Sequence, residues 1–172
     1  MKKFRGLDLY ELDPLLSEEE RLVRQTVREF VDAELFPVIR DAWEKGELPK
    51  SLVPKIAEMG LLGATIEGYG CAGMNNVAYG LAMQELERGD SGVRSFASVQ
   101  SALVMYPIFA FGSEAQKDSF LPRLQKAELI GCFGLTEPDF GSNPGGMITR
   151  ADRVSGGYRL NGVKRWITNG TL

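Results

Sequence analysis

Residues 131–146 read Gly131-Cys-Phe-Gly-Leu-Thr-Glu-Pro-Asp-Phe-Gly-Ser-Asn-Pro-Gly-Gly146, and here the 172-residue chain changes character. Gly131 to Leu135 reads as a short strand, and the stretch after it, Glu137 to Gly146, is dense in turn formers. Met147, Thr149 and Ala151 fit one face of a further strand, Ser155-Gly156-Gly157 forms a turn, and Tyr158 and Leu160 lie on the next strand. Asn161-Gly162 is a two-residue hairpin signal, Val163 to Thr168 completes a meander, and Asn169-Gly170 marks one more turn. A few strands alone leave an unpaired edge and an uncovered face. Residues 131–172 are therefore expected to begin an antiparallel β domain whose remainder is missing.

Upstream, residues 1–130 read as an all-α amino-terminal domain. Ser17 with Glu20 makes a capping-box pattern, and Leu22, Val23, Val27, Phe30 and Val31 recur at helical spacing until Pro37 breaks it. A second helix is expected from Pro37 to about Lys45, and a third from Ser51 to Met59 with Gly60 as its cap. The glycines of the 63–74 loop lack dinucleotide-fingerprint spacing, so this stretch is read as a plain connection. Helical spacing resumes at Val77, Leu81, Ala82 and Leu86 and ends at Gly89. The next helix starts near Ser91 with Phe96, Val99, Leu103 and Val104 as its apolar positions, is kinked or interrupted at Pro107, and closes at Gly112. Ser113 and Gln116 then cap a short helix ending near Pro122.

Composition narrows the chemistry. A net charge of −3 without a basic cluster argues against nucleic acid. The absence of histidine removes Ser-His-Asp and Cys-His catalysis and histidine metal sites. Cys71 and Cys132 do not suggest a metal cluster and are expected to be buried free thiols in a reducing compartment. Met1-Lys2-Lys3 is followed by Asp8, Glu11 and Asp13 rather than by an apolar core, and no run approaches the ~18 apolar residues of a membrane span. A cytoplasmic protein without a membrane span is expected.

Cys132 to Ser142, followed by Trp166-Ile-Thr-Asn169, resembles the paired signature of the acyl-CoA dehydrogenases, and the resemblance covers essentially the whole chain. It implies FAD as cofactor, with contacts from Phe133, Gly134, Leu135, Thr136, Gly141, Ser142, Trp166, Ile167 and Thr168. The peptide groups of Phe133 to Thr136 can answer the ring's acceptors and its N–H. The resemblance implies that the Thr136 hydroxyl also bonds the ring and that the Thr168 hydroxyl lies near the N5 that accepts hydride. Donors there stabilise the charge of reduced flavin. The same resemblance implies that Trp166 packs against one ring face and that Gly141-Ser142 allows close approach to the pyrophosphate or the CoA arm. Phe140 stands where fatty-acyl members commonly have a small residue, and Asn143 where they have aspartate. Gly145-Gly146 is looser than usual.

Glu87 to Ser95 and Ser98 to Pro107 are similar to the glutaryl-CoA dehydrogenase segment that closes the acyl pocket. A distal carboxylate is costly to bury alone. Arg94 would meet it with a bidentate fork, helped by Ser95, Ser98 and Ser142, with Glu87 holding the arginine. The implied reaction is FAD-dependent oxidation of glutaryl-CoA with decarboxylation to crotonyl-CoA. In the family its base is a glutamate from a carboxy-terminal helical domain. No segment here matches that region, so no catalytic residue is assigned and the 172-residue part alone is expected to be inactive. The implied partners are an electron-transfer flavoprotein and further copies in a homotetramer or dimer. A short- or medium-chain acyl-CoA dehydrogenase, an oxidase or monooxygenase of the same fold, and a non-catalytic helical fragment are the alternatives.

Overall fold

A computed structural model describes residues 10–172; Met1-Lys2-Lys3 and Asp8 lie outside the described residues. Helix α1 (Glu18–Phe30) starts on its capping box, with Ser17 Oγ accepting from the Glu20 amide at 3.2 Å and Glu20 Oε2 from the Ser17 amide at 2.8 Å. The other Glu20 oxygen accepts from Asn75 Nδ2 at 3.0 Å. Asn75 in turn caps helix α4 (Asn76–Gly89) by accepting the Ala78 amide at 2.8 Å, so two helix starts share one polar knot. Val27, Val31 and Leu35 join Ala82 and Leu86 in a core that also takes in helix α3 (Val53–Glu58). That helix ends in a Schellman motif, with Gly60 at φ +71° and its amide donating to Ala57 at 2.9 Å.

The expected break at Pro37 does not occur. Val31–Leu35 is a π-helical turn in which the Phe36 amide reaches back five residues to the Val31 carbonyl, and helix α2 (Phe36–Lys45) continues directly from it. The wider turn opens the ladder where the proline lacks its donor, so the ring is accepted without ending the helix. The same device recurs at Pro107. Helix α5 (Ser91–Ser98), capped by Asp90 accepting from the Val93 amide at 2.8 Å, runs through a π turn at Val99–Met105 into helix α6 (Tyr106–Phe111). The π turn also rotates the face. Gln100 and Ser101 enter the core, while Val99 is half-buried and Leu103 exposed, against the expectation for both. Helix α7 (Glu114–Gln125) continues past Pro122. Burial of Leu121 and Leu124, worth about 1.5–3 kcal/mol each, offsets the ~3 kcal/mol of an interior proline.

Strands β1 (Arg150–Val154) and β2 (Gly157–Asn161) form an antiparallel hairpin with Ala151 opposite Leu160 and the turn at Ser155-Gly156. The strands expected at residues 131–135 and 163–168 are absent, and Asn161-Gly162 ends β2 instead of turning a hairpin. Residues 131–136 and 163–168 share the Arg165 amide to Thr136 carbonyl bond of 2.8 Å but no ladder, and side chains fix their backbones instead. β1 starts only at Arg150 because the Ile148 and Thr149 amides are taken by the Glu137 carboxylate. Cys71 is half-buried, and desolvation pushes its thiol up to about 11. Cys132 is exposed, contrary to the buried thiol expected, because its segment has no covering layer. Among the described residues no helix is long and apolar enough to cross a membrane, and no acidic or cysteine cluster could hold a metal.

Candidate functional site

The two halves of the sequence motif meet in one cleft. Phe133, Leu135 and Thr136 line one side, Trp166, Ile167 and Thr168 another, and Val99 and Leu103 of the π turn form the helix wall around a volume of about 270 Å³. Lys164 draws the first two together, donating from Nζ to the Leu135 carbonyl at 2.9 Å and to Glu137 Oε1 at 3.0 Å. Glu137 is buried although it opens a Pro-Asp turn, and its carboxylate accepts the Ile148 and Thr149 amides at 2.8 and 3.0 Å. The Thr149 hydroxyl is buried without a full hydrogen-bond partner but is close enough to Glu137 to favour its carboxylate. That hydroxyl, then the Ile148 amide, the Lys164 ammonium and the Thr149 amide outweigh desolvation and hold the Glu137 carboxyl down to about 2.

Trp166 stands in the left-handed region at φ +58°, and its side chain is 78% exposed in the cleft with the Arg165 guanidinium 4.5 Å from its ring centroid. A bulky residue in that region is a backbone outlier of the kind that gathers at sites. The amides of Phe133, Gly134 and Thr136 and the hydroxyls of Thr136 and Thr168 have no partner among the described residues. Free donors beside apolar walls fit the polar edge and flat faces of an isoalloxazine ring. Gly141 and Ser142 lie exposed beyond the Glu137–Phe140 bridge and are not in the cleft lining.

A second cluster sits at the junction of α4 and α5. Arg94 Nε donates to Glu87 Oε2 at 2.6 Å and Nη1 to Ser98 Oγ at 3.2 Å, while Ser91 Oγ donates to the other Glu87 oxygen at 2.6 Å. Arg94 and then Ser91 lower the Glu87 pKa through these bonds. Nη2 of Arg94 has no partner among the described residues. Ser95 enters only through its carbonyl, which accepts from Ser98 Oγ at 3.2 Å. The cluster lies just before the π turn that supplies Val99 and Leu103 to the cleft but is not in the lining itself.

Sequence reading misses Gln100, Lys164, Asn169 and the anchoring role of Glu137. Gln100-Ser101 leaves one signal, a polar pair inside an apolar stretch. Without the π turn that pair faces no particular way.

An all-helical layer feeding an antiparallel hairpin, with this cleft at the junction, defines an acyl-CoA dehydrogenase fold. The chain belongs to the acyl-CoA dehydrogenase family: it matches the family's N-terminal domain over residues 17–128 and its middle domain over 132–172. The mitochondrial short-chain specific acyl-CoA dehydrogenase of Bos taurus is 36% identical over 155 residues, covering 90% of this chain and 38% of that protein. Glutaryl-CoA dehydrogenase from Mycobacterium smegmatis in complex with FADH2 superposes with a TM-score of 0.92 at 54% identity, covering 95% of this chain and 42% of that one. An acyl-CoA dehydrogenase complexed with FAD from Bacillus anthracis gives 0.82 at 33% identity over 90% of this chain and 27% of its own. The chain spans about two fifths of the length of the curated relatives it matches.

Proposed function

We propose that this chain forms the flavin-facing and acyl-end walls of an FAD-dependent acyl-CoA dehydrogenase of the glutaryl-CoA type. The observation that carries this reading is the meeting of both motif segments with the π turn that continues the helix bearing Arg94. The free amides of Phe133, Gly134 and Thr136 and the hydroxyls of Thr136 and Thr168 hold the ring edge. Trp166 covers one face, and Gly141 and Ser142 admit the pyrophosphate or the CoA arm. FAD bound there supplies the hydride acceptor. Val99 and Leu103 exclude water along the acyl chain. Arg94, oriented by Glu87 and Ser98, offers its remaining Nη2 donors to the distal carboxylate, with Ser95 beside it. Among the described residues no carboxylate lines the cleft, so no glutamate of this chain is given the proton-abstracting role. The same reading divides the chain into a helical domain, 1–130, and the start of a β domain, 131–172. It places a homo-oligomer in the cytoplasm with an electron-transfer flavoprotein as acceptor.

A second reading, a short unbranched acyl-CoA, is favoured by the Arg94 charge being already met by Glu87 at 2.6 Å. The test is the visible absorption spectrum of the protein with FAD, before and after glutaryl-CoA or butyryl-CoA without oxygen. With no base in the cleft among the described residues, the expected result is a flavin band that shifts without bleaching on glutaryl-CoA and shifts less on butyryl-CoA. A band shift with butyryl-CoA alone sinks the glutaryl assignment. A protein that takes up no FAD overturns the cofactor role for this chain.

A further inference from the structure

Building on the flavin reading of the cleft, we propose that Gln100 is a positioning residue that sets where segment 133–136 stands relative to the helix wall of Val99 and Leu103. Gln100 lies between those two wall residues in the π turn and is fully buried, at 0% exposure. Its Nε2 donates to the carbonyls of Leu124 at 3.1 Å and Leu129 at 2.9 Å, and its Oε1 accepts the Gly131 amide at 2.9 Å. Every polar atom of the side chain is thus spent on backbone at the passage from α7 into the cleft segment.

Gly131 is gripped from the other side as well. Asn169 Nδ2 donates to the Gly131 carbonyl at 3.2 Å, and Asn169 is the residue directly after Thr168 of the cleft. One run of contacts therefore passes from Gln100 through Gly131 to Asn169, behind the cleft and close in sequence to residues on all three of its sides. The approach is close, because a Cβ on Gly131 would overlap the methyls of Val104 on the same π turn. Filling this volume needs only an apolar side chain such as Met, and a buried amide is costly unless fully satisfied. What the amide adds is a fixed register between the helix wall and the segment that faces the ring. Ser101, the next residue, points the opposite way, donating to the Leu61 carbonyl at 3.1 Å and accepting the Gly63 amide at 2.9 Å. It provides an internal control for loss of buried hydrogen bonds in the same turn.

The experiment compares Gln100→Met with Ser101→Ala in the full chain. Gln100→Asn, one methylene short, is carried alongside as the milder variant should the methionine variant not fold. Amide hydrogen exchange without cofactor is expected to accelerate about tenfold at Gly131 and Arg165 in the Gln100 variants and less than about twofold in Ser101→Ala. With FAD added, the Gln100 variants are expected to bind about tenfold more weakly and to show an altered visible band shape, with Ser101→Ala like wild type. Unchanged exchange at Arg165, or equal changes in both kinds of variant, overturns the positioning role. Wild-type chain that takes up no FAD overturns the flavin reading instead, and the exchange data still decide what Gln100 does.

Discussion

Glu137 and Trp166 are two residues whose type says little and whose setting says much. A glutamate before Pro-Asp is ordinarily a solvated turn residue, yet here two amides and Lys164 converge on its carboxylate and hold both motif segments in place. Its folded value of about 2 lies below the usual 4.5. A depressed carboxylate contributes stability that is complete above the unfolded value and is lost as pH falls through the folded one. The urea midpoint of wild type should therefore exceed that of Glu137→Gln at pH 6, with the gap shrinking between about pH 4.5 and 2. An equal gap at pH 3 and pH 6 would show that the ionised form is not the anchor. Trp166→Phe keeps an apolar face but loses indole area, and is expected to weaken FAD binding while leaving the melting temperature within a few degrees, because the side chain is 78% exposed.

At the scale of elements, the helix starts are the legible part. Ser17, Glu20, Ser113 and Gln116 form the two capping boxes that the sequence pattern announces. Asn75 carries more than a cap, since it both starts α4 and ties to Glu20. Asn75→Ala is accordingly expected to cost about 1–2 kcal/mol and Ser113→Ala, at an exposed cap, about 0.5–1, as read from denaturant midpoints. Equal losses would mean that the tie to Glu20 adds nothing. Pro37, Pro107 and Pro122 each look like breaks in the sequence, and each is passed. Two are passed by a π turn and the third by leucine burial, neither of which a local propensity contains.

Across the molecule, α1 and α4 are joined by a buried carboxylate. Glu85 is 2% exposed and receives Arg28 Nη2 at 2.6 Å and Arg88 Nε at 2.8 Å, while Arg88 Nη2 also reaches Asp32 at 2.8 Å. Burial works to raise the Glu85 pKa, but the bonds from Arg28 and Arg88 prevail and lower it. Its contribution to stability is thus present above the unfolded carboxylate value and is lost as pH falls below it. Removing it leaves two guanidiniums facing each other. Because both are over a third exposed, Glu85→Gln is expected to cost about 2 kcal/mol rather than the 3–5 of a fully buried pair. A double-mutant cycle with Arg28→Met measures it, and a coupling near zero would contradict the network.

By itself the sequence determined the capped helix starts, the hairpin turn at Ser155-Gly156 and the paired motif that points to flavin. These are set by contacts within a few residues, or by spacing that needs no partner. Tertiary structure alone decided that Gln100 and Ser101 face inward while Val99 and Leu103 face the cleft, that Glu137 is a buried anchor, and that residues 131–136 and 163–168 lie side by side without becoming a ladder. Each of those outcomes depends on which backbone groups arrive from far along the chain to satisfy a polar atom. Arrivals from 11 to 31 residues away leave no local trace in composition or period.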